Sequence, residues 1–293
     1  MRHGKGFRRM IGWVFGAVLV AALAANNAKL FAAEEAGAGG KTHEQPKPPR
    51  QEWTFNGFFG QYDPAQLQRG FQVYREVCSN CHSLKLIAFR NLADPGGPGF
   101  SEAQVKALAA QYQIKDGPND AGEMFERPGR PSDYFPWNFP NAQAAIAALG
   151  ALPPDMSLLA KARSYERGFP LFLIDPIIQY QEQGPDYINA ILNGYTNDKD
   201  PNWNEYMPGH KIAMPKPLSD GAVDYADGSP KTVQQYAKDV SAFLMWAAEP
   251  KLDERKRIGF NVLIFLAVYA LLLFAAKKKI WHRPEAQVSH DAP

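Results

Sequence analysis

Cysteine is scarce in this 293-residue chain, which contains only two such residues, Cys78 and Cys81. A structural zinc site takes four Cys or His ligands in paired clusters, and the only other candidate ligand nearby is His82. A thioredoxin-like redox pair would follow a β-strand, whereas the residues before Cys78 have a helical pattern. The shortage of cysteine therefore argues against a zinc cluster, and the local pattern argues against a dithiol redox pair.

Both cysteines belong to one motif, Cys78-Ser79-Asn80-Cys81-His82. C-x-x-C-H is the attachment signature of c-type haem. Its two thiols add covalently to the haem vinyl groups, and the adjoining imidazole is placed to ligate the iron from one side. The motif predicts one covalently attached haem c, held by Cys78 and Cys81, with His82 as the first axial ligand.

The chain also has no β-strand pattern of any length, and its signals are helical. Asp63 is a suitable N-cap for a helix from Pro64 to Val77 that leads into the motif. Gly70 lies beside its apolar face, where a missing side chain would let another helix cross closely. Five further helices are predicted: 101–111, opened by a Ser101/Gln104 capping box; 141–150, capped by Asn141; 155–163; 186–192; and 231–248, capped by Ser229. The prediction is an all-α domain with long loops, notably 113–140 and 195–230, around one haem.

Acidic residues are absent from positions 1–33, which carry five Lys and Arg. A positive start followed by a short apolar run over 11–25 is typical of a signal peptide, cut near residue 24 or 33. The cleavage site is ambiguous, and a retained N-terminal anchor is the alternative, weighed against the shortness of the apolar run. Residues 34–54 have the composition of a flexible linker. We therefore expect an exported domain over 55–250.

Charge is missing again between Ile258 and Ala276. At 1.5 Å per residue this run spans roughly 28 Å, enough for the hydrocarbon core of a membrane. A basic juxtamembrane segment over 251–257 precedes it, and three lysines begin the 277–293 tail. Because the domain is exported, we predict one C-terminal transmembrane helix over 258–276 with a cytoplasmic tail.

The central portion is acidic, with 19 Lys and Arg against 26 Asp and Glu over residues 34–250. This balance argues against nucleic acid as a partner and favours steering of a basic protein. A generic solubilising surface explains it equally well. The acidic residues that form the candidate docking cluster are Glu102, Asp116, Asp120, Glu123 and Glu126.

Haem iron with one histidine ligand takes a second axial group or keeps an open site, and Met/His ligation suits electron transfer. Met214 is the favoured candidate, because prolines at 215 and 217 stiffen its loop. An open position would instead suit a gas sensor or a peroxidase. The rival ligands are Met207, His210, Met124 and Met156.

Five stretches of the chain resemble the cytochrome c1 family, the haem subunits of bacterial cytochrome bc1 complexes (ubiquinol:cytochrome c oxidoreductases). They are 69–74, 120–129, 132–136, 150–155 and 237–250. The resemblance implies a class I-like cytochrome c domain in the periplasm, anchored in the bacterial inner membrane. It also implies cytochrome b and a Rieske iron–sulfur protein as partners in a dimeric complex, and a soluble cytochrome c as electron acceptor.

The resemblance also implies roles for individual residues. Met214 would be the second axial ligand, and Arg163 would lie near a haem propionate. Tyr187, Pro153 and Pro154 would line the haem pocket, and no residue would act as a catalytic acid or base. An apolar segment over 168–183 has no counterpart in the shorter members. A cytochrome that feeds a terminal oxidase directly remains the alternative electron carrier.

Overall fold

The computed structural model describes residues 46–163, 183–197 and 199–281. The predicted signal peptide, the tail beyond 281 and nearly all of the 168–183 segment lie outside these residues. The elements within them are α1 (Pro64–Glu76), α2 (Glu102–Ala109), β1 (Gln113–Asp116), β2 (Phe125–Pro128), α3 (Ala142–Leu149), α4 (Leu159–Ala162), α5 (Gln183–Asn193), α6 (Val233–Ala248) and α7 (Leu252–Ile280).

The centre of the fold is the crossing of α1 and α6, which places Gly70 against the backbone of Asp239. A Cβ atom at Gly70 would overlap the carbonyl oxygen of Asp239 and come within 2.7 Å of Phe243 Cβ. Only glycine permits this approach, so the predicted crossing at Gly70 is confirmed. The large side chains buried around it include Leu67, Phe71, Tyr74, Tyr236, Val240, Phe243 and Leu244.

A buried ionic network joins the two helices at the same crossing. The Asp239 carboxylate on α6 is fully buried and accepts a hydrogen bond from Arg69 Nε of α1 at 2.9 Å. The Tyr225 hydroxyl donates to it at 3.0 Å, and Gln235 Nε2 donates to both of its oxygens at 3.0 Å. A buried charge is stable only when paired and hydrogen-bonded in this way. The network therefore fixes the position of α1 relative to α6.

Three predicted helix starts are confirmed. Asp63 caps α1 through its side chain, Ser101 and Gln104 form the capping box of α2, and Asn141 caps α3. Each side-chain oxygen accepts a hydrogen bond from a backbone N–H that has no partner within the first turn. Gly150 ends α3 in the left-handed region with φ 76°.

The predicted start of α6 was wrong. Thr232, not Ser229, is the N-cap, and its hydroxyl accepts a hydrogen bond from the Gln235 N–H at 3.3 Å. Ser229 instead donates its hydroxyl to the Asp227 carboxylate at 2.9 Å. Both are good capping residues, so propensity did not distinguish them.

The helix predicted over 155–163 is reduced to the four residues of α4, Leu159–Ala162. Its expected first residue, Asp155, is held elsewhere by hydrogen bonds to Ser83 and Lys85. The helix predicted over 186–192 is longer than expected, since α5 begins at Gln183 and ends at Asn193.

The all-α prediction missed one element, the antiparallel hairpin of β1 and β2. Arg127 on β2 forms ion pairs with Asp116 on β1 and with Asp133 beyond the strand. The two four-residue strands are mostly exposed. Without a buried face they lack the alternation of apolar and polar residues by which strands are recognised. The rest of the described chain is rich in helix.

Residues of the predicted linker pack on the domain. Trp53 is buried, and its Nε1 donates a hydrogen bond to Asp186 Oδ1 at 2.8 Å. The backbone N–H of Gln51 donates to the same oxygen at 3.0 Å. Asp186 lies on α5, so these bonds attach the chain just before residue 54 to the domain.

The last described helix, α7, is 29 residues long and has a window of mean hydropathy 2.5, none of which is buried. In the described part of the chain it is the one helix long and apolar enough to cross a membrane. The helix is continuous from Leu252, so the basic residues before 258 belong to it. A long apolar helix whose apolar window is not buried by the described residues fits a membrane anchor.

Candidate haem-binding site

The two cysteines lie in one tight turn at the end of α1. After the C-cap residue Val77, Cys78–Asn80 forms a 3-10 turn. The N–H groups of Cys81 and His82 both donate to the Cys78 carbonyl, at 3.1 and 2.9 Å. Both thiols are free, and both cysteines are half-buried. One turn therefore presents two thiols and an imidazole together.

Burial disfavours the thiolate form of Cys78. Burial, and to a lesser degree the neighbouring Cys81, raises the pKa of Cys78 to about 12. Redox-active cysteines have a lowered pKa, because the thiolate is the reactive species. In the described residues, no group of three or more His, Cys, Asp or Glu side chains could hold a metal ion.

His82 is held in one tautomer by the backbone. Its Nδ1 lies 2.9 Å from the carbonyl oxygen of Pro154. A carbonyl can only accept, so Nδ1 carries the proton and Nε2 keeps its lone pair. Burial lowers the pKa of His82 and outweighs the hydrogen bond to Pro154, so the ring is neutral at neutral pH. A neutral imidazole with an oriented Nε2 is the donor that haem iron takes from histidine.

A segment over residues 153–157, here called the strap, runs alongside the chain that follows the motif. The Met156 N–H donates to the Ser83 carbonyl at 2.8 Å. Ser83 Oγ and the Lys85 N–H both donate to Asp155 Oδ2, at 2.7 and 3.0 Å. These bonds hold Pro154 in place, and with it the carbonyl that orients His82.

The Asp155 carboxylate stays ionised in this position. Burial alone would raise the pKa of Asp155, but hydrogen bonds from Ser157, Ser83 and Lys85 outweigh it and lower that pKa. Three residues donate hydrogen bonds to the Asp155 carboxylate, which therefore holds the strap in place.

Two further side chains contact the turn. Trp137 Nε1 donates to the Cys81 carbonyl at 2.9 Å, and Asn138 Nδ2 donates to the Ser79 carbonyl at 3.0 Å. Lys85 Nζ lies 4.6 Å from the centre of the Trp137 ring, within reach of a cation–π interaction. Sequence reasoning missed these residues, because nothing in a loop tryptophan indicates which backbone carbonyl it will reach.

A cavity of about 510 Å³ lies beside the strap. Of the predicted pocket residues, Pro153 and Pro154 line it, while Met214, Arg163 and Tyr187 do not. The remaining lining residues are Ser83, Lys85, Trp137, Phe139, Pro140, Asn141, Ala142, Leu152 and Asp155. His82 and the two cysteines are not among its lining residues, so the cavity adjoins the strap rather than the thiols or the imidazole.

Met214 is half-buried and packs against the hydrophobic core. The Tyr195 hydroxyl donates a hydrogen bond to its backbone carbonyl at 2.9 Å. This bond, with the flanking prolines, restrains the loop that carries the thioether. Its role as the second axial ligand stays a prediction.

The rival ligands have other surroundings. Met207 Sδ accepts a hydrogen bond from the Tyr187 hydroxyl at 3.8 Å. His210 is stacked on Trp203, with ring centres 5.3 Å apart and planes at 10°, and its Nδ1 lies 3.2 Å from the Asn204 carbonyl. The other two rivals differ in exposure to solvent: Met124 is exposed, and Met156 is buried in the strap.

Arg163 and Tyr187 come close together. Arg163 is exposed at the end of α4, and Tyr187 is buried on α5. Burial raises the pKa of Tyr187, and the charge of Arg163 partly opposes this effect. A Cβ atom at Gly184 would overlap the Ala160 carbonyl, so glycine allows α5 to pack closely on α4. Their roles near a propionate and in the pocket stay predictions.

The residues present fit a covalent haem. Two free thiols share one turn with a neutral imidazole whose Nε2 is left for iron, and a methionine loop is restrained by Tyr195. Cys78, Cys81, His82 and Met214 are the residues that would hold it.

Comparison with known proteins agrees with the family that the sequence resembles. The model of the cytochrome C1 family matches residues 53–284. A Bradyrhizobium diazoefficiens protein named cytochrome b/c1 is 60% identical over 245 residues, which is 80% of this chain but only 36% of that protein. Cytochrome c1 of Blastochloris viridis is 49% identical over 244 residues, covering 80% of this chain and 86% of the relative. The mitochondrial cytochrome c1-2, heme protein, of Solanum tuberosum is 43% identical over 243 residues, covering 79% and 84%.

Proposed function

The chain belongs to the cytochrome c1 family, and from this premise we propose that it is the haem-carrying electron-transfer subunit of a cytochrome bc1 complex. It takes electrons from the Rieske iron–sulfur protein and passes them to a soluble cytochrome c. The observation that carries the proposal is the turn at 78–82, in which two free thiols adjoin a histidine oriented by Pro154.

The haem supplies one-electron redox chemistry at its iron. The chain's own residues bind and orient it. Cys78 and Cys81 would hold it through thioether bonds, His82 and Met214 would ligate its iron, and burial of His82 keeps the imidazole neutral. Only an electron moves, so the chain needs no catalytic acid or base of its own. Quinol oxidation belongs to the partner subunits.

Cytochrome b is the partner that the comparisons support most directly. The Bradyrhizobium relative has both cytochromes in its name, and the chain spans about a third of it. The Rieske protein, the soluble acceptor and a dimeric complex follow from the family. The exposed apolar helix α7 supports a single-pass anchor in the bacterial inner membrane, with the haem domain in the periplasm and the tail after Lys277 in the cytoplasm.

The test is an optical spectrum of the complex purified from membranes, before and after reduction by quinol, with a Met214→Leu variant beside it. We expect the wild type to be reduced by quinol and to show the near-infrared band of methionine bound to ferric haem. The variant should lose the band, and its reduction potential should fall, within the ~0.8 V range that axial ligands span. Tyr134→Phe changes an exposed ring and is the control for effects of expression and purification on the spectrum.

Two results would contradict the proposal. A wild type that lacks the band and binds carbon monoxide has an open iron position, as in a sensor or a peroxidase. A Met214→Leu variant that keeps the band has another methionine as its ligand, and Met207 would be examined next.

A further inference from the structure

A short loop next to α7 exposes two phenylalanines. Residues 54–61 form this loop, and its flanking aromatic residue Trp53 is buried together with Phe55. Phe58 and Phe59 at its tip are 52% and 75% exposed. Adjacent large apolar side chains on a surface indicate contact with an apolar partner.

The backbone of the loop keeps these two rings outside the core. The Asn56 N–H donates to the Trp53 carbonyl at 3.1 Å, and the Gln61 N–H donates to the Thr54 carbonyl at 3.0 Å. A Cβ atom at Gly60 would overlap the backbone of Asn56, so the turn is closed tightly. The tip is therefore part of a defined turn.

The same loop is tied to the first turns of α7. Lys256 Nζ donates to the Phe55 carbonyl at 2.5 Å, and the ring centres of Phe59 and Phe260 are 5.3 Å apart in an edge-to-face contact. Just after the loop, the Tyr62 N–H donates to the Asp253 carboxylate at 3.3 Å. The depth at which α7 crosses a membrane therefore also sets the depth of Phe59.

The contact lies at the boundary of the uncharged run. Phe260 is two residues beyond Ile258, which at 1.5 Å per residue places it about 3 Å into the run. Trp281, 73% exposed, lies near its other end, with Lys277 Nζ 5.3 Å from its ring centre. The helix from Phe260 to Trp281 spans about 31 Å, close to the thickness of a hydrocarbon core.

We propose that the 54–61 loop inserts Phe58 and Phe59 into the interfacial region of the lipid bilayer and so forms a second membrane contact of the haem domain. The inference rests on the membrane anchoring in the proposed function. Aromatic side chains favour the membrane–water interface, since their rings leave water there while nearby polar groups stay hydrated. Through Phe59 and Lys256, the loop would fix the tilt of the domain relative to α7.

Two observations favour lipid over a protein partner: the positive charge before the uncharged run, and the contact of the exposed loop with α7. Arg257 is exposed immediately before the uncharged run, whereas Arg255 pairs with Glu249 and Lys256 donates to the Phe55 carbonyl. Cations at this depth are attracted to anionic headgroups. Phe59 also touches Phe260, on a helix whose apolar window is not buried by any of the described residues. The exposed rings thus continue a surface that already faces lipid.

The test uses the full chain with its haem, reconstituted into vesicles of phosphatidylcholine and phosphatidylglycerol. Both native cysteines carry the haem in the proposed function, so Phe59→Cys introduces a single thiol for a nitroxide label. Collision rates of the label with oxygen, which concentrates in lipid, and with a water-soluble nickel chelate report its depth. Phe125→Cys on the hairpin is the aqueous reference, and Leu266→Cys in α7 is the bilayer reference.

We expect the oxygen-to-nickel ratio at position 59 to exceed that at 125 several-fold and to fall below that at 266. Equal ratios at 59 and 125, with 266 in lipid, would overturn the inference. Shielding of position 59 from both reagents in the purified multi-subunit complex would also overturn it, in favour of a protein subunit.

Failure of the proposed function has different signatures. Labelling of the unsubstituted chain would show that the cysteines do not carry the haem. The oxygen-to-nickel ratio at position 59 would then be calculated after the label signal of the unsubstituted chain is subtracted. An aqueous ratio at 266 would show that α7 is not in the bilayer, which overturns the anchor and the loop contact together.

Discussion

His82 Nδ1 lies 2.9 Å from the carbonyl oxygen of Pro154, a residue 72 positions further along the chain. This contact occupies Nδ1 and leaves Nε2 as the nitrogen that is available to a metal. The Pro153-Pro154 pair restricts the backbone around the acceptor, because each ring fixes its own φ. The strap thus orients the His82 imidazole through a backbone atom, while its side chains attach it to residues 83–86.

Asp155 is the side chain on which the strap depends most, so we predict that Asp155→Asn loosens the histidine side of the site. The amide would place a donor against the N–H of Lys85 or the hydroxyl of Ser83, in place of the acceptor they bind now. A buried donor left without an acceptor costs about 1–3 kcal/mol. The free energy of unfolding from urea titration, followed at the Soret band, should fall by that amount.

The exposed loop variant Asp120→Asn is the matched control for Asp155→Asn, and we expect it to change stability by less than about 0.5 kcal/mol. A shift of the reduction potential in Asp155→Asn, absent in the control, would separate an effect on His82 from a general loss of stability. Equal stabilities and potentials in the two variants would contradict the strap.

Tyr195 is predicted to position the methionine loop. Its hydroxyl donates to the Met214 carbonyl at 2.9 Å, so Tyr195→Phe removes one hydrogen bond worth about 1 kcal/mol. We expect the methionine-to-iron band to disappear at a lower pH or urea concentration than in the wild type. Tyr134→Phe, on an exposed ring, should leave the band unchanged. An unaltered band in Tyr195→Phe would show that the prolines alone hold the loop.

Acid should weaken the attachment of the hairpin. Arg127 binds both oxygens of Asp133, at 2.6 and 3.0 Å. Mainly through this hydrogen bond, the pKa of Asp133 is lowered to about 2. A lowered pKa stabilises the folded state above the unfolded value of about 3.9, and the contribution disappears as the pH falls towards the folded value.

The corresponding measurement compares the wild type with Asp133→Asn by urea unfolding across pH. The pair is partly exposed, so we expect a difference of on the order of 1 kcal/mol at neutral pH. The difference should shrink between about pH 4 and pH 2 as the wild-type carboxylate is protonated. A difference independent of pH would mean that the charge of Asp133 contributes nothing.

The acidic cluster proposed for docking divides into two kinds of residue. Glu102, Asp120, Glu123 and Glu126 are exposed, whereas Asp116 is paired with Arg127 within the hairpin. Charge reversal of Asp120, Glu123 and Glu126 to Lys should lower the association rate with a basic soluble cytochrome c, about tenfold or more at low salt. The salt dependence of the rate should also become weaker.

Stopped-flow kinetics of reduction of the soluble cytochrome, at several ionic strengths, measure this effect. Glu52→Lys, at an exposed acidic position outside the hairpin, is the control. An unchanged rate and salt dependence in the triple variant would contradict docking at this cluster. Asp116 is left intact, because its reversal would break the pair with Arg127.

Much of this molecule could be predicted from residues that are close together in the sequence. The thiols and histidine of the haem motif are contiguous, and the caps at Asp63, Ser101 and Asn141 act within one helical turn. The uncharged run of α7 is likewise a local property. These features depend on short-range geometry, which sequence spacing encodes directly.

Tertiary structure decided the features that join distant residues. Pro154 lies 72 positions from His82, whose Nδ1 it binds. Trp137 lies 56 positions from Cys81, and Arg69 lies 170 positions from Asp239. The hairpin was missed for another reason: Arg127 binds residues only 11 and 6 positions away, but its strands have no buried face that would mark them in the sequence. Backbone carbonyls look alike in sequence, so only folding determines which one a side chain reaches.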